Sequence, residues 1–152
     1  MKLEQTKDII QWCAGFHDSL AHQYETLSRS AAEPRLKMML DYLAQHEHEL
    51  HAGLKRFLET AEPSVLNTWF RQVPELSQPD ALEAMRNCLC CATVEDAENA
   101  AREFLKQLQA MYQQLADLSE TAELRELFES LVKGQEAELR RMVRDTSRLD
   151  SL

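Results

Sequence analysis

Glycine and proline are scarce in this chain of 152 residues, which has only three glycines and four prolines. Gly15, Gly53 and Gly134 all lie inside helical patterns rather than at turns. No Gly-rich loop that could hold a phosphate group occurs. Ala, Leu, Glu, Gln, Lys and Arg dominate the composition, and all of them favour helix. The sequence therefore predicts an all-α protein, long enough to form one domain with a full-sized core.

Long apolar runs and an excess of positive charge are also missing. No stretch approaches the length of a membrane span, and the N-terminus lacks the hydrophobic region and cleavage site of a signal peptide. The net charge of −9 repels nucleic acid and anionic membranes. We therefore expect a cytoplasmic protein with neither nucleic acid nor membrane as a partner. Its four cysteines should be reduced thiols.

Apolar residues recur every three or four positions in four long segments, which is the pattern of bundle helices. The first predicted helix covers about residues 3–31, and the fourth covers about 122–145. The pattern predicts two helical hairpins, 3–60 and 94–145, within a single domain. A crossover at 61–93 joins them and carries a short helix at 79–91, and a short tail follows at 146–152.

The two hairpins match each other without a gap when the sequence is shifted by 88 positions. The matched pairs include Phe16 with Phe104, Leu20 with Leu108, Tyr24 with Tyr112, Leu27 with Leu115, Leu36 with Leu124 and Leu43 with Leu131. An ungapped register through two helices and their turn predicts an internal duplication. Two like hairpins joined by a long crossover form a four-helix bundle of the ferritin type.

Each half also places a Tyr near the middle of one helix, then a short turn, then a segment like Leu-Ala-x-x-Glu-x-x-His. The segments that carry this pattern are HQYETLSRSAAEPRLKMMLDYLAQHEHELH in the first half and AMYQQLADLSETAELRELFESLVKGQEAEL in the second. Over about residues 5–60 and 95–145 the chain resembles the ferritin-like superfamily and its rubrerythrin-related members. The resemblance implies a four-helix bundle around a di-iron site that reacts with dioxygen or peroxide.

The residues expected to bind the two metal ions are mostly changed here. In the family, each half supplies a Glu seven residues before the Tyr, followed by Glu-x-x-His on the next helix. The equivalent positions are His17, Glu47 and Leu50 in the first half, and Leu105, Gln135 and Glu138 in the second. Only Glu47 keeps the expected type. The resemblance therefore implies a di-metal carboxylate site that is altered or lost.

The stretch LAQHEHELHAGL, residues 43–54, is dense in metal-binding residue types. At about 100° per residue, a core-facing Glu47 brings His51 close to the core. The same phase puts His46 and His48 on the flanks, where we expect them to be solvent-accessible, as we expect of His22 on the first helix.

Two interpretations of the bundle interior stay open. In one, His17, Glu47, His51 and Glu138 hold iron, manganese or zinc. In the other, His17 pairs with Glu47 in a polar network without metal, and Tyr24, Tyr112 and Gln135 join the network. These polar side chains are predicted to face the core in both cases.

The four cysteines allow two interpretations, and so does the aromatic pair Trp69 and Phe70. Cys88, Cys90 and Cys91 on the short crossover helix, with Cys13, could form a thiolate metal site or a redox pair. Alternatively, they are small buried apolar residues. Trp69 and Phe70 either cover the open end of the bundle or form a surface for a partner.

Two functions follow. The first is a binding or interaction module, a homodimer with no catalytic residues and no cofactor. The second is a metal-dependent oxidoreductase or an iron-handling protein that acts on dioxygen or peroxide. The metal content of the purified protein distinguishes them.

Overall fold

The computed structural model describes residues 5–72, 76 and 94–150. It contains four long helices, α1 (Thr6–Ser30), α2 (Pro34–Thr60), α4 (Val94–Leu118) and α5 (Ala122–Asp150), and one short helix, α3 (Pro63–Leu66). Over these described ranges no β-strand occurs, and the only β-type pairing is an isolated bridge between Gln5 and Trp69. The all-α prediction is confirmed.

The predicted helix bounds hold except at the C-terminal end. The fourth helix was expected to end at about residue 145, where the apolar pattern fades, but α5 continues to Asp150. The prediction of a tail at 146–152 is therefore wrong for residues 146–150, which belong to the helix. A helix needs no apolar stripe to continue, because its backbone hydrogen bonds form between neighbouring turns and residues such as Arg148 and Leu149 favour helix. The predicted helix at 79–91 lies outside the described residues.

The turn between α1 and α2 is stabilised by a helix cap. The Glu33 carboxylate accepts hydrogen bonds from the backbone N–H groups of Arg35 and Leu36, at 3.2 and 3.3 Å. Pro34 occupies the first helical position, where the missing N–H is not needed. These contacts fix where α2 begins.

We expect Glu33→Ala to lower the free energy of unfolding by about 1 kcal/mol, because two N–H groups at the start of α2 lose their acceptor. Denaturant unfolding measures the change. Glu62→Ala is the matched control, since Glu62 precedes α3 in the same position but its side chain makes no capping hydrogen bond. Equal effects of the two substitutions would show that the Glu33 cap does not stabilise the fold.

The helices of each hairpin run antiparallel. Along α1, His17 bonds Glu47 of α2, whereas Ser28, further on, bonds the earlier residue Asp41. In the second hairpin Gln109 of α4 bonds Glu136 of α5 at 2.8 Å, and Ser119 beyond the end of α4 lies next to Arg125.

The two hairpins share one hydrophobic core. All four long helices contribute to it, with Ile9, Ile10 and Leu20 from α1, Leu40, Leu43 and Leu54 from α2, Leu108 and Leu115 from α4, and Leu124, Phe128 and Met142 from α5. This core surrounds the buried polar side chains described below.

The segment after α3 is fastened to the start of α1. The backbone N–H and the hydroxyl of Thr6 both donate to the carbonyl of Thr68, at 2.9 and 3.0 Å. Phe70 is buried in the core, whereas Trp69 is 56% exposed. Of the two interpretations of these residues, burial of Phe70 agrees with a covering role, whereas Trp69 remains exposed. Neighbouring residues in an extended segment point to opposite sides, which explains the difference.

Candidate functional site

His17 of α1 is the centre of a hydrogen-bonded group that joins three helices. Its ring is completely buried. Nδ1 bonds Oε2 of Glu47 on α2, and Nε2 bonds the hydroxyl of Tyr112 on α4. The rings of His17 and Tyr112 lie nearly parallel, with centroids 5.9 Å apart. Both ring nitrogens of His17 are therefore used within the protein.

Two tyrosines are buried at this site, Tyr112 within the hydrogen-bonded group and Tyr24 near its carboxylate. Burial raises the pKa of Tyr112 well above its ordinary value, so its hydroxyl keeps its proton and can donate to Nε2 of His17. Burial also raises the pKa of Tyr24 well above the ordinary value, and the nearby carboxylates of Glu47 and Glu138 raise it further. Tyr24 therefore lies within electrostatic reach of one buried carboxylate from each hairpin.

Glu138 of α5 forms a second buried group between the hairpins. Its Oε2 atom is 3.2 Å from Nδ1 of His46 on α2 and accepts a hydrogen bond from the Tyr42 hydroxyl at 3.4 Å. Arg141, one turn further along α5, approaches the same oxygen at 3.9 Å. The Glu138 side chain is only 2% exposed, while that of Arg141 is 53% exposed. Glu138 thus connects the interior to the solvent edge between α2 and α5.

Gln135 lies one turn before Glu138 on the same face of α5. It is 1% exposed, and within the described part of the chain neither its Nε2 nor its Oε1 atom has a hydrogen-bond partner. We use the name interior polar cluster for the buried residues His17, Tyr24, Glu47, Tyr112, Gln135 and Glu138. All six were predicted to face the core, and their burial confirms that prediction.

The four residues predicted to bind metal are found at three separate places. His17 and Glu47 bond each other, and Glu138 pairs with His46. His51 is half-buried and donates from Nδ1 to the backbone carbonyl of Ala14 at 2.8 Å. Among the described residues, no three His, Cys, Asp or Glu side chains form a group that could hold a metal ion. Metal binding by these four residues stays a prediction.

The prediction that His46 is solvent-accessible is wrong, because its side chain is 14% exposed and contacts Glu138. The sequence correctly predicted which side chains of α2 point toward α1. The side of α2 that carries His46, however, faces α5 of the other hairpin. Tyr42, four residues earlier on this flank, was not identified from the sequence. The i, i+4 spacing of Tyr42 and His46 is the signal that could have revealed a second polar face on α2.

His22 and His48 lie on the surface, as predicted, with side chains 65% and 39% exposed. His48 bonds Glu25, and this hydrogen bond lowers the pKa of the Glu25 carboxyl. The Asp18 carbonyl accepts a hydrogen bond from His22 and raises the pKa of that imidazole. These contacts are local to the α1–α2 surface and are separate from the interior polar cluster.

The cysteine predictions can be followed only at Cys13. Cys13 is completely buried on the core side of α1. Burial raises its pKa to about 12, while a hydrogen bond with Tyr112 acts in the opposite direction. Cys13 is therefore an unreactive thiol in the core, as its position on the apolar stripe indicated. Cys88, Cys90 and Cys91 lie outside the described residues.

Comparisons with family models, curated proteins and solved structures give no match for this chain. Within the described ranges, no helix combines the length and the apolar character that crossing a bilayer demands.

Proposed function

We propose that this protein is a ferritin-like four-helix bundle in which a metal-free polar network replaces the di-metal site, and that it acts as a binding or interaction module. The observation that carries the proposal is the use of both ring nitrogens of His17 by Glu47 and Tyr112. An imidazole binds a metal through a ring nitrogen whose lone pair is free, and the contacts of His17 leave none.

The positions of the helices support the ferritin-like part of the proposal. α4 begins 88 residues after α1, at residues 94 and 6, and ends 88 residues after it, at 118 and 30. α5 begins 88 residues after α2, at 122 and 34. A duplicated hairpin would have similar helix lengths and an equal turn. The first helices have 25 residues each and the turns are equally long, while α2 and α5 have 27 and 29 residues.

The donor set argues against a two-metal centre of the family type. Leu50 and Leu105 occupy two of the six ligand positions, and neither has a donor atom. Gln135 offers a neutral amide where a carboxylate would bridge two ions. Glu47 and Glu138, the two carboxylates that remain, are each paired with a histidine. These residues do not fit a di-iron site, and no reaction step is assigned to one.

A binding or interaction module of this kind is proposed to work as a homodimer in the cytoplasm, since helical bundles readily pair through a two-fold axis. The alternative function is a metal-dependent oxidoreductase or iron-handling protein with a rebuilt site. The observation in its favour is the buried Oε1 atom of Glu138, for which the described residues supply no hydrogen-bond partner.

Metal analysis of protein purified without a histidine tag tests the proposal. We expect folded protein with no stoichiometric iron, manganese or zinc, and no increase in thermal stability when these ions are added. The variant His22→Ala with His48→Ala serves as a control, because this exposed pair could bind added metal on the surface. Stoichiometric metal that persists in the control and is lost in Glu138→Gln would favour the oxidoreductase instead.

A further inference from the structure

Gln135 poses an energetic problem that the protein contacts leave unsolved. A buried amide group offers two N–H donors and one carbonyl acceptor, and leaving these groups without partners costs free energy comparable to several lost hydrogen bonds. Both polar atoms of Gln135 are buried and have no partner among the described residues. A glutamine in this state needs a partner that the described residues do not supply.

On Glu138 and its partner His46, two further buried atoms have no hydrogen-bond partner among the described residues. They are Oε1 of Glu138, one turn along the same helix face, and Nε2 of His46, whose other ring nitrogen is 3.2 Å from Glu138. Together with the amide of Gln135, these atoms form a set with at least one donor and at least two acceptors. Glu138 and His46 meet where α5 faces α2, and Gln135 lies one turn before Glu138 on the same helix.

The mixture of donors and acceptors indicates which kind of ligand can bind these buried atoms. A metal ion would bind the oxygen atoms but would leave the N–H groups of Gln135 without an acceptor. An anion would be repelled by the Glu138 carboxylate. Water both donates and accepts, and it is the common partner of buried polar groups that protein atoms do not satisfy.

Glu138 also lies close to the solvent edge of the bundle. Glu138 contacts Tyr42, which is half-buried, and Arg141, which is largely exposed, at the edge between α2 and α5. We propose that Gln135, Glu138 and His46 form an internal hydration site. In it, ordered water connects the Gln135 amide to the Glu138–His46 pair and exchanges with solvent past Tyr42. This site does not depend on the ferritin-like assignment.

NMR detection of contacts between water and side-chain amide protons tests the site in the complete protein. We expect the Gln135 amide protons to show a direct dipolar contact with long-lived water, identified by the sign of the cross peak. Gln109 is the matched control, because its Nε2 atom already donates to Glu136 at 2.8 Å. Its amide should show no such contact.

The variant Gln135→Leu should keep the fold, and the disappearance of the cross peak in this variant assigns that peak to the Gln135 amide. If that variant fails to fold, the measurement on the parent protein still decides. No water contact at the Gln135 amide, or a direct bond from it to a protein acceptor, would overturn the proposal. So would stoichiometric metal bound at Glu138.

Discussion

Replacing His17 with leucine should lower the free energy of unfolding by about 3–5 kcal/mol, because the substitution leaves a buried carboxylate without its partner. His17 and Glu47 are both buried and bond each other. The same substitution removes the acceptor of the Tyr112 hydroxyl, which is also buried. One side chain therefore supports two others that belong to different hairpins.

Most of this loss should return when the partner is removed as well. In His17→Leu with Glu47→Leu the buried charge is gone, and two apolar side chains of suitable size fill the space. The remaining deficit should be at most about 1–3 kcal/mol, because the Tyr112 hydroxyl has lost His17 and keeps only its weaker hydrogen bond with Cys13. Adding Tyr112→Phe should remove most of that deficit. Leucine is the natural choice at position 17 because the equivalent position of the second hairpin is Leu105.

Denaturant unfolding of the parent, the single variants, the double variant and the triple variant measures these changes in the free energy of unfolding. Together the variants form a mutant cycle that gives the coupling energy. His22→Leu is the matched control on the same helix, since this exposed imidazole should change stability by less than about 0.5 kcal/mol. Costs of His17→Leu and Glu47→Leu that simply add in the double variant would show that the pair is not coupled, and the metal-free network would lose its main support.

The sequence could predict the contact between His17 and Glu47 but not the whole cluster. Helical periodicity gives the angle at which each side chain leaves its own helix, so core-facing positions on α1 and α2 were identifiable. The short turn between these helices also fixes which residues meet. Periodicity does not give the angle between the two hairpins, because the connection at 61–93 is long and no local pattern sets its geometry.

The error at His46 has this origin. A residue on the flank of one hairpin is exposed only if the other hairpin lies elsewhere, and α5 lies against that flank. The sequence allowed Tyr112 to join the polar network but could not identify His17 as its partner, because that bond crosses between the hairpins. Tyr24 occupies the equivalent position in the first hairpin, and the carboxylates of Glu47 and Glu138 raise its pKa. Glu47 also raises the pKa of Tyr112, so the two equivalent tyrosines lie within electrostatic reach of the same carboxylate.

Cys13 should react with a thiol-alkylating reagent about 1000-fold more slowly in the folded protein than after unfolding. Burial raises the pKa of its thiol from 9.0 to about 12, and each unit above the working pH reduces the reactive thiolate about tenfold. Quenched labelling at pH 8, with and without denaturant, followed by peptide mass mapping, separates Cys13 from Cys88, Cys90 and Cys91. A variant with serine at those three positions simplifies the measurement.

The variant Tyr112→Phe shows whether burial or hydrogen bonding protects the thiol. The hydrogen bond with Tyr112 lowers the pKa of Cys13, whereas burial raises it by more. Removing the hydroxyl should therefore leave labelling of the folded protein as slow as before or slower, because the stabilising contact to a thiolate is lost. Rapid labelling of Cys13 in the folded parent protein would place this side chain at the surface. The face of α1 that carries both Cys13 and His17 would then be misassigned, together with the buried pair on which the proposed function rests.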